Sequence, residues 1–206
     1  MEKIKVAVLV SGGGTNLGAL IAAEKSGIIK SASISLVISN KEGAYALERA
    51  KNAGIEALTV TKDECGSQEA FEDRLLRELD AKGIDLIVLA GFMSILSEKF
   101  TGAYKDRIIN VHPSLIPSFC GKGYYGLRVH EAALKYGVKV TGATVHYVNE
   151  IPDGGRIILQ KSVSIRRGDT PEVLQRRVME KAEWIILPRA CELVAKKLLS
   201  EKKRNR

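Results

Sequence analysis

Asn110-Val111-His112-Pro113-Ser114 sets an amide and an imidazole two residues apart at the end of a β-branched run. In a strand such residues share a face. An amide donor beside an imidazole can hold an oxyanion and move a proton. Pro113 and Pro117 would stiffen the loop that follows. A lone histidine at a strand end also serves structure alone, and that reading stays open here. Farther along, Asp153-Gly154-Gly155 offers a carboxylate in a short connection. Such an Asp can orient His112, and its charge favours the imidazolium. The glycines by themselves say only that the chain turns tightly.

Ser11-Gly12-Gly13-Gly14-Thr15-Asn16 lies between a strand-like run and a helix-like one. Glycines let backbone N–H groups approach an anion, and a helix N-terminus aims more of them at it. The pattern is not GxGxxG, no acidic residue closes the second strand, and no Walker lysine follows. A monophosphate fits better than a dinucleotide or ATP, with a plain βα turn as the alternative. Leu89 to Leu96 is apolar for a loop, as a slot for a flat heteroaromatic would be, or as ordinary core would be. Gly121 to Gly126 holds two tyrosines among its glycines and reads as a lid or a surface loop. His130, at a helix start, and His146, in a strand, read as structural. The histidine spacing makes no metal cluster.

The elements that would position these groups follow from periodicity. Ile4 to Val10, Ser33 to Ile38, Glu56 to Val60, Asp85 to Ala90 and Arg107 to Val111 are strand candidates. Helical spacing starts at Leu17 and recurs over Ala44 to Ala53 and Ser67 to Leu79. Alternation of this kind predicts an α/β protein with a mostly parallel sheet covered on both faces. Val140 to Val148 and Arg156 to Ile165 are separated by too few residues for a helix, so they should pair antiparallel. Pro171 to Leu199 reads as a long amphipathic helix, with Pro188 as the expected point of interruption.

The chain has 206 residues, 45% of them hydrophobic, which allows a proper core. It carries no apolar run of about 18 residues and no leader pattern before the first strand, so a cytoplasmic location is expected. Cys65, Cys120 and Cys191 are scattered and odd in number, against a disulfide framework or a zinc site. The formal charge is +8, and Lys202, Lys203, Arg204 and Arg206 in the tail carry four of those charges. Such a tail is expected to be a solvated, frayed end. The remaining excess suits anionic small molecules. With 5% aromatic residues, nucleic-acid binding fits poorly. No linker or repeat divides the chain. The expectation is one domain over 1–206, with a phosphate-binding half (1–100), a half that carries the candidate catalytic residues (101–200) and a basic tail (201–206).

The segments GGGTNL, SNK, LAGFMxIL, INVHPSLIPSF, TGATVHYV and DGGxIILQ, in this order from about Val6 to about Leu199, resemble the folate-dependent formyltransferases. NVHPSLIP marks the wider family, and the GGGTN loop points to the phosphoribosylglycinamide formyltransferases of purine biosynthesis. The resemblance implies a seven-stranded, mostly parallel sheet flanked by helices, Rossmann-like in its N-terminal half, with an antiparallel strand in its C-terminal half. It implies 10-formyltetrahydrofolate as donor cosubstrate, glycinamide ribonucleotide as acceptor, no metal, and a monomer or homodimer free of nucleic acid and membrane. It also implies roles: Asn110, His112 and Asp153 in catalysis, and Gly14, Thr15 and Asn16 on the acceptor's phosphate. Glu183 would touch the acceptor, and Gln68, Met93, Ser94, Ile95, Leu96 and Asn110 the folate.

Departures from the pattern fall at Gln68 and Ser94, where relatives often carry Arg, and at Trp184, where they often carry His. The Gly121–Gly126 loop is also longer than in several relatives. Two related activities stay in view. A 10-formyltetrahydrofolate hydrolase would bring an added N-terminal domain, whereas this chain starts at its first strand. Methionyl-tRNA formyltransferase would bring a C-terminal RNA-binding domain. A non-catalytic nucleotide-binding module would leave Asn110, His112 and Asp153 without a purpose.

Overall fold

A computed structural model describes residues 2–204. The chain runs β1 (Ile4–Val10), α1 (Thr15–Lys25), β2 (Ala32–Ser39), α2 (Tyr45–Asn52), β3 (Glu56–Thr59), α3 (Lys62–Cys65), α4 (Gln68–Ala81), β4 (Leu86–Leu89), α5 (Glu98–Ala103) and β5 (Ile108–His112). It continues through α6 (Leu127–Tyr136), β6 (Val140–Tyr147), β7 (Ile157–Ser164), α7 (Pro171–Val178), a π-helical turn (Met179–Glu183) and α8 (Trp184–Arg204). The strands form one seven-stranded sheet in the order β3-β2-β1-β4-β5-β6-β7. β6 runs antiparallel to both its neighbours, as the short connection requires for its pairing with β7, and the other pairs are parallel.

Alternation along the strands divides the core. In β1, Val6, Val8 and Val10 pack on the side of α1 and α8 with Leu17, Leu187 and Val194. Ala7 and Leu9 pack on the other side with Phe71, Leu75 and Phe100 of α4 and α5. The chain moves outward from β1 to β3, then returns to lay β4 on the opposite flank of β1. The connections that leave the carboxyl ends of β1 and β4 therefore run to opposite faces, toward α1 and α5, and open α/β sheets bind ligands in the crevice at such a point.

The two short helices α3 and α5 escaped apolar periodicity because they are only four and six residues long. Their signals were caps. Thr61 and Glu64 form a reciprocal capping box at α3, and the Ser97 hydroxyl accepts from the Phe100 N–H at α5. The expected break at Pro188 is displaced. Pro188 lies inside α8, and the irregularity sits one turn earlier, where the π turn buries Ala182 and Glu183. A proline removes one N–H and crowds the preceding turn, and a widened turn absorbs that strain upstream. The tail also differs from expectation. Lys202 to Arg204 continue α8, and Lys202 pairs with Asp85 at 2.6 Å. Asn205 and Arg206 lie outside the described residues. No helix among the described residues is long and apolar enough to cross a membrane.

Candidate active site

β5 carries the first two groups. Ile109 and Val111 point into the α1/α8 core, which leaves Asn110 and His112 together on the opposite face. Across the ladder Asn110 is paired with His146 of β6, and His112 with Thr144. The Asn110 Nδ2 lies 3.3 Å from the His146 Nε2. The His146 Nδ1 lies 2.8 Å from the Tyr147 carbonyl and must donate to it, so in the neutral ring Nε2 is the acceptor. Asn110 is thereby fixed with one N–H on His146 and the other left over. Thr144 anchors the loop after β5: its hydroxyl donates to the Ser114 carbonyl at 2.7 Å and accepts from the Ile116 N–H at 3.1 Å.

The β6–β7 connection supplies Asp153, which holds a left-handed φ of 57°. The turn depends on glycine two residues later, because a Cβ on Gly155 would run into the Tyr147 carbonyl. Asp153 Oδ2 lies 3.4 Å from the His112 Nδ1, and Oδ1 lies 3.6 Å from the His146 Nε2. The Gly121 N–H donates to Oδ2 at 2.8 Å. On the far side of the ring, the His112 Nε2 donates to the Phe119 carbonyl at 2.8 Å. One imidazole thus lies between a carboxylate and a carbonyl, both contributed by loops.

Burial sets the resting charge. His112 is 4% exposed, and burial depresses its pKa, against the opposing pulls of Asp153 and the Phe119 carbonyl. The Asp153 charge favours the imidazolium, as expected of a carboxylate there, but desolvation outweighs it in the free protein. Burial opposes ionisation of Asp153 too. There the contacts with His146, His112 and the Gly121 N–H win, and the carboxyl stays below the ordinary carboxylate range. His130, fully buried in α6, has no hydrogen-bond partner on either ring nitrogen among the described residues. Burial, aided by the charge of His112, pushes it down to about 4.

Asn110, His112, His130, His146 and Asp153 line one cavity of about 690 Å³, together with Asn16, Glu183 and the stretch Phe92–Leu96. Its apolar wall is the loop after β4. Met93 and Ile95 are 51% and 66% exposed there, although both are large apolar side chains. That loop is clamped. The Met93 N–H donates to the Ser11 hydroxyl at 2.7 Å, and Asn40 donates to the Ser94 hydroxyl at 2.8 Å. Gln68 does not line the cavity. Its amide donates to Glu72 at 2.7 Å and to the Ile95 carbonyl at 3.2 Å, so it supports the loop from behind. Lys122 is the one Lys or Arg among the lining residues.

The glycine turn meets this cavity through Asn16. Its Nδ2 donates to Glu183 at 2.7 Å, and its Oδ1 is buried without a partner among the described residues. Glu183 is 6% exposed, and burial raises it to about 7, the Asn16 bond opposing. The Asn16 side chain is therefore engaged with Glu183. Thr15 touches Met179, its hydroxyl 3.8 Å from the sulfur. Gly14 holds a φ of 67° and caps α1 with no side-chain bond and no acidic residue in the first turn, so the backbone N–H groups of this turn are the donors it offers.

His146 was missed as a member of this group. Its nearness to Asn110 depends on the β5–β6 register, which strand spacing does not give. Among the described residues no cluster of three or more His, Cys, Asp or Glu side chains could hold a metal ion. The arrangement offers hydrogen-bond donors and a proton-carrying imidazole around one polar point, an apolar slot on one side and a glycine turn that offers backbone N–H groups on the other.

Residues 4–191 match the model of a family described as formyl transferase. The chain is 42% identical over 175 residues to a phosphoribosylglycinamide formyltransferase of Escherichia coli (strain K12), covering 85% of this chain and 80% of that one. It is 46% identical over 194 residues to a trifunctional purine biosynthetic protein of Gallus gallus, covering 94% of this chain but 19% of that protein. The chain thus spans between 14% and 19% of the length of such multifunctional relatives. The crystal structure of glycinamide ribonucleotide transformylase 1 from Symbiobacterium toebii superposes with a TM-score of 0.88 at 42% identity, over 95% of this chain and 89% of that one.

Proposed function

The chain belongs to the formyl transferase family, among the phosphoribosylglycinamide formyltransferases, and from that premise we propose that it moves a formyl group from 10-formyltetrahydrofolate to the amine of glycinamide ribonucleotide. The observation that carries this reading is the convergence of Asn110, His112 and Asp153 on one cavity that also reaches Asn16 and Glu183. The apolar wall at Phe92–Leu96 suits the flat pterin of the donor. Lys122, on the Gly121–Gly126 loop, is the cationic side chain of the cavity lining that is available to the donor's anionic tail. The acceptor's phosphate belongs on the turn Gly14, Thr15 and Asn16, through backbone N–H groups, and its polar body on Glu183.

The neutral acceptor amine attacks the formyl carbon, forming a carbon–nitrogen bond and an oxyanion. The free N–H of Asn110 donates to that oxygen. His112 donates as well, the oxygen replacing the Phe119 carbonyl as its acceptor. Asp153 stabilises the positive charge that His112 takes on when it relays a proton. The intermediate collapses, the bond to the folate nitrogen breaks, and the amine's surplus proton ends on that nitrogen. Formyl carbon and bonding electrons balance, with tetrahydrofolate and the N-formyl product released. Each donor aimed at the oxyanion typically contributes about 100- to 1000-fold in rate.

The chain acts as one domain over 1–206, monomeric or as a homodimer, in the cytoplasm and without nucleic acid. The test mixes purified protein with both substrates and follows tetrahydrofolate release with and without the acceptor. Release that depends on glycinamide ribonucleotide supports formyl transfer. Equal release in its absence assigns the site to hydrolysis of the donor.

A further inference from the structure

We propose that Arg49 is a positioning residue of the phosphate turn: it holds the Gly13 carbonyl so that the peptide N–H groups of the turn face the acceptor's phosphate. The inference rests on the assignment of that turn to a phosphate. The Arg49 Nε donates to the Gly13 carbonyl at 2.8 Å. One residue earlier, the Gly12 carbonyl accepts from the Ala46 N–H at 3.1 Å. Two successive carbonyls of the turn are thus held by α2. In a trans peptide the N–H points opposite the carbonyl. Fixing the carbonyls of Gly12 and Gly13 therefore turns the N–H groups of Gly13 and Gly14 away from α2. Neither N–H has an acceptor among the described residues, and they join the first N–H groups of α1 as donors. Successive N–H groups arranged this way make an anion nest.

Arg49 is itself held in place. Its guanidinium lies 4.9 Å over the Tyr45 ring. The approach of α2 is close enough that a Cβ on Gly14 would meet the Ala46 Cβ at 2.6 Å and the Arg49 Cδ at 3.4 Å. Arg49 does not line the cavity, so its effect passes through the turn, with its positive charge beside the anion as a second contribution.

The test titrates inorganic phosphate into the wild-type protein and into Arg49→Gln and Arg49→Lys, following the Gly13 and Gly14 amide resonances. Phosphate should shift both amides in the wild type. Arg49→Gln should weaken phosphate binding at least about tenfold, as loss of a charge-assisted hydrogen bond does, and Arg49→Lys should recover part of it. In turnover, KM for the acceptor should rise by a similar factor, while kcat and KM for the donor stay within about twofold. Unshifted amides in the wild type, or wild-type phosphate affinity in Arg49→Gln, would overturn the proposal. So would a parallel loss in every kinetic constant. If the wild type shows no formyl transfer, the functional reading fails, and the amide titration still decides the role of Arg49.

Discussion

Asn110 and His146 face each other across the β5–β6 pair, the amide Nδ2 3.3 Å from the ring Nε2. A primary amide can sit either way round in a strand, presenting oxygen or nitrogen. In its neutral form His146 removes the choice, because its Nδ1 proton is committed to the Tyr147 carbonyl and its Nε2 then accepts. Replacing His146 by Leu should free Asn110 to present its oxygen to the developing oxyanion. We predict a fall in kcat of about tenfold or more, since a misaligned donor forfeits part of its contribution, with both KM values little changed. His146→Gln, which retains an acceptor, should recover part of the loss. Steady-state kinetics on the two variants, with melting curves to check folding, would separate this role from a packing role.

Asp153→Asn should fold as the wild type does. Its left-handed φ of 57° is one that Asn tolerates well. The neutral amide loses the charge that stabilises His112 when protonated, and we predict a drop in kcat of about 100-fold or more. An unchanged melting temperature with the activity gone is the expected pair of results. Retained turnover would remove Asp153 from the mechanism.

Acid should weaken the fold through His130. Its pKa is held near 4 by burial, below the ordinary 6.5. The unfolded chain therefore binds a proton at this site before the folded one does. This site costs no stability above pH 6.5, and its cost grows as pH falls toward 4. His112 is depressed in the same sense. The melting temperature should drop across this window, and His130→Gln should flatten the drop. An equal slope in the variant would place the acid sensitivity elsewhere.

Glu183 works in the opposite direction. Burial raises it from 4.5 to about 7. Its contribution is present below pH 4.5 and is lost as pH rises toward 7, when a charge must be held inside. Glu183→Gln keeps an oxygen for the Asn16 amide and carries no charge. It should melt with the wild type at pH 5 and about 2–4 °C above it at pH 8.5, on the order of 1 kcal/mol for a chain of this size. Its KM for the acceptor should rise, because Glu183 lines the cavity where the proposal seats the acceptor's polar body.

Much of this was legible along the chain. Period-two spacing put Asn110 and His112 on one face, and the observed core agrees, with Ile109 and Val111 turned the other way. The short connection before β7 required an antiparallel pair, and β6 and β7 form one. What stayed hidden depends on register or on side-chain direction. His146 looked like a strand residue because nothing local states which residue of β5 it opposes. Asn16 sits in an anion-binding turn by sequence, yet its amide reaches Glu183, 167 residues away. Gln68 was assigned to the folate by resemblance, and its amide instead braces the Ile95 carbonyl. The π turn at Met179–Glu183 has no periodic signature, since its single extra residue only shifts the phase of an otherwise helical pattern.

The direct test of the account is the turnover of His112→Ala with saturating donor and acceptor, set beside acceptor affinity in the same variant. The account predicts a loss of about 100- to 1000-fold in kcat with acceptor binding nearly unchanged. Turnover close to that of the wild type would contradict it.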